Sequence, residues 1–379
     1  MSLASLLHNQ PRIRLFLKIV AAFLLSRSYF WALSILNNKP FLDAMCQWDC
    51  GWYLGIIENG YDIAPHDHPR GDAANWAFFP LYPALAALIS AVVNTHTVVS
   101  GILISNVFFI LGMFVATHYL TRTRQRINED FFIGLCMLGP YSFYFTTLYT
   151  EALFFFLCSI ALLLWSQNRP LSSAAFAALM SMTRLVGVLW VPSLLWHQYR
   201  THGRSFVVRI LRTPQLLLAI ALAPLGLFLY MLYLYIHVGD ALAFSHIQVA
   251  WGREIGNPLK NLVDYIVYND LPNLFADDPG QRMSKQYLAF WGLGGLLLTI
   301  WLFRSQRHLE AIFAVFALLL PLSTGVDSIP RYMVGIPMFA FAVHDLVVDK
   351  SIAWWLLIAG ALFNTFLLLN WYEGSSFVI

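Results

Sequence analysis

The stretch 98-VVSGILISNVFFILGMFVATHYL-120, followed at once by Arg122, Arg124 and Arg126, decides the fold. From Val98 to Leu120 it holds no Asp, Glu, Lys or Arg. At about 1.5 Å per residue it is long enough to cross a hydrocarbon core of roughly 30 Å. An arginine cluster beside such a run marks the cytoplasmic side. Apolar runs near this length recur along the 379 residues, of which 59% are hydrophobic, 16% aromatic and 11% charged. A soluble domain carries roughly 25% charged residues, so the chain reads as an all-α polytopic membrane protein. The formal net charge of +3 is too small to imply nucleic acid. No charged stretch is long enough to fold alone and no fixed-period repeat is visible, so residues 1–379 read as a single integral membrane domain.

The arginine cluster orders the rest. Arg12, Arg14 and Lys18 precede an apolar run to about Leu36. That run is too long for a signal core and lacks a small-x-small cleavage site, so it reads as an uncleaved first helix with a cytoplasmic N-terminus. Residues 37–97 then form a first outer loop, rich in Asp43, Asp49, Glu58, Asp62, Asp67 and Asp72. Phe78–Val93 would cover only roughly 24 Å and holds Pro80 and Pro83. If it crossed, the arginine cluster would fall outside, so it is expected to lie along the outer interface. Phe131–Thr147 and Glu151–Ser166 then form a pair joined outside by a short turn. Arg200, Arg204, Arg209 and Arg212 call for a cytoplasmic position, which requires Leu171–Trp196 to be two short helices bent near Thr183–Gly187. The bend lifts Arg184 from the midplane, where a charge costs at least about 2.5 kcal/mol. Further helices are expected at 214–237, 287–304, 308–323, 332–348 and 351–370, with a second outer loop over 238–286. The total is about 10–11 membrane helices.

One face then collects the polar chemistry: Asp49 with its neighbours, Asn75-Trp76, Tyr149-Thr150-Glu151, Thr183-Arg184, Trp251-Gly252-Arg253 and Ser328-Ile329-Pro330-Arg331-Tyr332. A guanidinium binds phosphate oxygens in a fork and stays charged. A carboxylate opposite can take a proton from a hydroxyl. Trp and Tyr rings suit the apolar face of a sugar. These residue types point to lipid-phosphate chemistry at the outer leaflet. Taken singly, each has a plainer use. Asp49 and Glu151 stand where helices open, Arg331 could snorkel to an interface, Arg184 could anchor membrane phosphates, and Arg253 with Glu254 reads as a loop ion pair. A transporter or flippase for a lipid-phosphate substrate is the rival class; its ion sites would lie at mid-membrane rather than at one face.

The runs Gln47-Trp48-Asp49-Cys50-Gly51-Trp52-Tyr53, Glu58-Asn59-Gly60-Tyr61 and Asn75-Trp76-Ala77-Phe78-Phe79-Pro80-Leu81-Tyr82-Pro83 resemble the second mannosyltransferase of glycosylphosphatidylinositol assembly and its prokaryotic relatives. Tyr149-Thr150-Glu151-Ala152-Leu153, Thr183-Arg184 and Ser328–Tyr332 extend the resemblance in the same order. It implies the GT-C glycosyltransferase fold, with interfacial helices in the first outer loop and a catalytic acid there. It implies a polyprenyl-phosphate-linked sugar donor, mannose by family, and a lipid or glycan hydroxyl as acceptor. Asp49 is then the catalytic base, and Arg184 and Arg331 hold the donor phosphate. Trp48, Trp52, Tyr53, Glu58, Asn75, Trp76, Tyr149, Glu151 and Tyr332 are the candidate substrate contacts. No cofactor and no metal are implied. The site would face outward from a prokaryotic cell membrane, or into the lumen of the endoplasmic reticulum in a eukaryote.

Cysteines and histidines add little. Cys136 and Cys158 read as small apolar packers inside helices. Cys46 and Cys50 flank Asp49 four residues apart, where a disulfide is possible by distance but unusual within one helical turn. They do not form a zinc pattern. His66-Asp67-His68 is a solvated loop sequence more readily than a metal site.

Overall fold

The computed structural model describes residues 10–67, 72–267, 285–375 and 378. His68 and residues 268–284 of the expected second loop lie outside them. The described residues are helical, with no strand beyond a single bridge between His66 and Ala73. Among the described residues five spans are long and apolar enough to cross a membrane: α1 (Pro11–Leu36), α4 (Thr97–Thr123), the pair α9–α10 (Pro214–Leu222 and Leu225–Val238), α11 (Lys285–Arg304) and α15 (Ile352–Tyr372). Five more apolar helices run 10–17 residues: α3 (Leu81–Val93), α6 (Glu151–Ser166), α7 (Pro170–Ser181), α12 (His308–Leu322) and α14 (Pro337–Val347). The chain is a multi-pass helical membrane protein. The remaining elements used below are α2 (Cys50–Asn59), α5 (Glu129–Leu138), α8 (Trp190–His202) and the single turn and a half of α13 (Ile329–Val334).

Local chemistry sets the breaks. Proline opens α1, α7, α9 and α14, where its missing N–H costs nothing. Asn128 caps α5, its side chain accepting from the Phe131 amide at 3.0 Å. Three spans expected as single helices are broken. The run to Thr147 stops at Leu138 because Gly139-Pro140 follows and Tyr141 turns left-handed at φ 63°. Pro224 divides α9 from α10. The expected helix 332–348 is α13 and α14, parted at Gly335-Ile336 because Pro337 forces the residue before it extended.

The bend inside Leu171–Trp196 is present. α7 ends at Ser181, Arg184 is extended at φ −155° and ψ 146°, and a tight helical turn over Leu185–Leu189 leads into α8. Gly187 packs so closely on Met180 and Ser181 that a Cβ there would overlap their backbone. α3 begins beside this bend, the Leu81 amide donating to the Met182 carbonyl at 3.1 Å. Its Tyr82 hydroxyl meets Gly101 and Ser105 of α4 at 3.0 and 2.9 Å. With 13 residues, α3 is too short to cross a bilayer.

The bundle has two chemically different ends. At the end where α4 finishes, Arg124 forks onto Glu310 at 2.7 and 2.6 Å and reaches Asp345 at 3.0 Å. Tyr119 donates to the same Glu310 at 2.6 Å, and His344 meets Asp345 at 3.1 Å. The Arg124 and Glu310 side chains are only 4% and 3% exposed, so the pair is desolvated. It ties α4 to the start of α12 and the end of α14. Arg122 joins this end to the close of α6 through the Ser166 carbonyl at 3.4 Å. Another buried cation, Arg27, stands within α1 among the rings of Phe23, Phe30 and Phe109, each 5.0 Å away. It donates to Ser26 and to the Met137 carbonyl at the close of α5. The sequence shows Arg27 but not its aromatic cage.

Removing one member of a desolvated pair strands the other charge, at a cost of roughly 3–5 kcal/mol. Glu310→Ala is therefore expected to lower the melting temperature of the purified protein far more than Asp349→Ala, which faces an exposed Arg126; equal shifts would contradict a buried clamp. The arginine end is expected to face the cytoplasm. A cysteine at position 126, whose native side chain is 72% exposed, should react with an impermeant maleimide only after permeabilisation, and labelling of intact cells would reverse the orientation.

Candidate active site

Asp49 occupies the N-cap position of α2, yet its carboxylate makes no capping hydrogen bond. It turns instead to Arg331 of α13, Oδ2 accepting from Nη1 at 2.6 Å. The Asp49 side chain is 24% exposed and the Arg331 side chain 8%. A plain helix cap would be aimed at the amides of its own helix. The Asp49 backbone amide donates to the Tyr149 hydroxyl at 3.0 Å, and that hydroxyl donates to the Gln47 carbonyl at 2.9 Å. Trp48, left-handed at φ 53°, and a Cys46–Cys50 disulfide close the turn around Asp49. The cysteine pairing possible from the sequence is formed.

Glu151 opens α6 and is almost fully buried. Its Oε1 lies 3.4 Å from both Arg184 and Arg331. The Arg331 Nε approach is too poorly aligned to be a hydrogen bond, and Glu151 Oε2 also has no partner. Gly335 presses on this pair: a Cβ there would sit 3.2 Å from Arg184 Nη1 and 3.3 Å from the Glu151 side chain. Two carboxylates and two arginines from four distant segments thus form one chain of charge. Aromatic faces line it. Tyr332 lies 4.6 Å from Arg184 and 5.2 Å from Arg331, and Tyr149 lies 5.2 Å from Arg331.

These groups border a pocket of about 280 Å³. Of the residues singled out in the sequence, Asp49, Tyr53, Tyr149, Glu151, Arg184, Arg331 and Tyr332 line it. Five others stand behind or beside it. Trp48 is 40% exposed. Trp52 stacks on Phe78 at 5.8 Å and meets Trp251 edge-on at 5.4 Å, so it backs the wall. Glu58 accepts from Thr97 at 2.8 Å and joins the end of α2 to the start of α4. Asn75 exchanges hydrogen bonds with Asp62, at 2.8 and 3.0 Å, and reaches the Gly60 carbonyl. Trp76 donates to the Asp62 carbonyl at 2.7 Å. These last three fold the first loop upon itself.

Arg253 also lines the pocket. The expected ion pair with Glu254 is not formed; Glu254 is exposed and Arg253 turns inward. Gly252, at φ +64°, ends the turn Ile247–Trp251 and redirects the chain. Arg253 Nη1 reaches Gln248 Oε1 and the Tyr332 hydroxyl, each at 3.4 Å. The signal for Arg253 was its place beside Trp251, but chain order alone does not say which way a loop arginine faces. Among the described residues no group of three or more His, Cys, Asp or Glu is placed to hold a metal ion.

No protein-family profile and no curated protein matches the chain. Solved structures of the oligosaccharyltransferase of Archaeoglobus fulgidus are similar in part. Its apo crystal structure matches at a TM-score of 0.49 with 13% identity, over 94% of this chain and 56% of that one. The same protein, AglB, in complex with an inhibitory peptide and a dolichol-phosphate matches at 0.43 with 13% identity, over 97% of this chain and 56% of that one. The chain thus spans little more than half the length of these structures.

Burial pushes the Tyr332 phenol up, but the guanidiniums of Arg253, Arg331 and Arg184 together outweigh it and bring it down to about 8. A free phenol titrates near ~10. The folded value is the lower one, so ionisation favours the folded state: the contribution is complete above pH ~10 and is lost as pH falls through the folded value. Tyrosinate absorbance should show one phenol titrating near that pH, absent in Tyr332→Phe; an unchanged titration in the variant would place that group elsewhere.

Proposed function

We propose that this chain is an inverting glycosyltransferase of the GT-C type. It moves a sugar, mannose by the sequence resemblance, from a polyprenyl-phosphate donor to a hydroxyl of a lipid-linked or glycan acceptor. The work would be done at the outer or lumenal membrane face. The observation that carries this reading is the Asp49 carboxylate, which stands at a helix N-cap but points away from the helix into the pocket and onto Arg331.

In the proposed reaction the acceptor oxygen attacks the anomeric carbon from the side opposite the phosphate. The carbon–oxygen bond to phosphate breaks as the new glycosidic bond forms, which inverts the centre. Asp49 Oδ2 is held by Arg331, and Oδ1 takes the acceptor proton and later yields it to water. Polyprenyl phosphate leaves as an anion, so no second acid is needed. Negative charge grows on its oxygens beside Arg184 and Arg331, fixed by Glu151 before the reaction begins. The unpartnered Arg331 Nε and Glu151 Oε2 are groups that a bound phosphate and a sugar hydroxyl would satisfy. Tyr53, Tyr149 and Tyr332 supply ring faces for the sugar.

Asp49→Asn keeps the size and the contact with Arg331 but removes the basic oxygen. Transfer should fall at least ~10²-fold in proteoliposomes supplied with polyprenyl-phosphate mannose and a panel of acceptors, with products read by mass analysis. Asp49 makes no cap bond to lose, but the variant removes one of the two counter-charges of buried Arg331, so some loss of stability is expected and folding is checked by melting before turnover is compared. Near-normal turnover in the purified variant would remove Asp49 as the base, and a wild-type protein that makes no glycosylated product from any donor would sink the reading itself.

A further inference from the structure

Among the described residues the pocket is lined by three guanidiniums and two carboxylates. Arg331 is committed to Asp49 at 2.6 Å and lies against Glu151, and Arg184 lies against Glu151 at 3.4 Å. Both carboxylates are therefore already matched. Arg253 is the exception: among the described residues no carboxylate lies within ion-pairing distance of it. Its two side-chain hydrogen bonds, to Gln248 and Tyr332, are both long at 3.4 Å and both to uncharged or weakly acidic groups. Such contacts are readily exchanged for charge-assisted ones.

Its surroundings add a second observation. The same pocket is also lined by Ile255, 85% exposed, and by Ala317, Leu320 and Pro321 of α12, with Ser323 and Thr324 following them. Ile255 and Leu320 are apolar and exposed, whereas Glu151 is buried. A molecule with an apolar chain joined to an anion would lay its chain along these apolar residues and bring the anion to Arg253.

The geometry points to Arg253 as the residue that docks the phosphate of a polyprenyl phosphate, with the apolar chain leaving past Ile255 and Leu320. This rests on the glycosyltransferase reading and divides the labour among the arginines. Arg253 captures the phosphate first, and Arg331 Nε meets it once the donor is seated. Arg184 and Arg331, tied to carboxylates, meet the charge that grows during it. Arg253 is a binding residue whose loss raises the donor KM more than it lowers kcat.

The test is direct binding of sugar-free polyprenyl phosphate to the full-length protein in phosphatidylcholine nanodiscs. Wild type should bind it, and Arg253→Ala should weaken binding at least about tenfold, the scale of one lost charge-assisted contact. Arg253→Lys should recover part of the loss, because the charge returns without the fork. Arg253→Gln stands in if the alanine variant does not fold, with folding checked by melting. Inorganic phosphate alone should bind far more weakly than the lipid; equal binding would overturn the role given to Ile255 and Leu320. Wild-type affinity in both Arg253→Ala and Arg253→Gln would overturn the assignment while leaving the glycosyltransferase reading intact. A wild-type protein that does not bind polyprenyl phosphate overturns both.

Discussion

The Arg331 guanidinium is the constraint on which the active end depends. Its side chain is 8% exposed and is shared between Asp49, at 2.6 Å, and Glu151, at 3.4 Å. A cation this far from water is tolerable only if its counter-charges arrive in the right places. The counter-charges come from the start of α2 and the start of α6 and the cation from the short α13, segments 102 to 282 residues apart in the chain. The three elements must therefore meet at one point, where a side chain at Gly335 would crowd Arg184 and Glu151. Tyr149 then tethers the Asp49 backbone. The arrangement is a set of partners that hold one another, and none of the four charged side chains would be stable in place without the others.

Much of the fold was legible because bilayer thickness disciplines sequence. Runs without charge marked the long helices. The bend near Arg184 followed from the cytoplasmic position that Arg200, Arg204, Arg209 and Arg212 call for, and it also spares Arg184 the cost of mid-membrane. Where the reading erred, a proline was the reason. Pro140, Pro224 and Pro337 each sit inside a run whose hydropathy is continuous, so a count of apolar residues passes over them while the backbone cannot.

The site was legible in outline and blurred in detail. Asp49, Glu151, Arg184, Arg331, Tyr149 and Tyr332 were singled out together and line one pocket with Tyr53. Glu58, Asn75 and Trp76 belong to the same runs but spend their polar atoms on their own loop, on Thr97, Asp62 and Gly60. Residue type is the same in both groups; only the path of the chain separates them, and that path depends on contacts a linear string does not display. Arg253 shows the converse. Its inward turn is set by one left-handed glycine, a conformation the sequence permits but does not announce.

The two ends of the bundle also lie close together. α6 carries Glu151 at one end and meets Arg122 through Ser166 at the other, in 16 residues or about 24 Å. α12 runs from the Glu310 clamp to the pocket rim in 15 residues, about 22 Å. A bilayer core is roughly 30 Å thick. Around these helices the hydrophobic mismatch must be absorbed, by lipid that thins locally or by a charged cavity sunk below the headgroups. In either case membrane thickness becomes a variable of the site: a thicker bilayer would deepen the descent both for an incoming hydroxyl and for a lipid-borne phosphate, which rides at headgroup level.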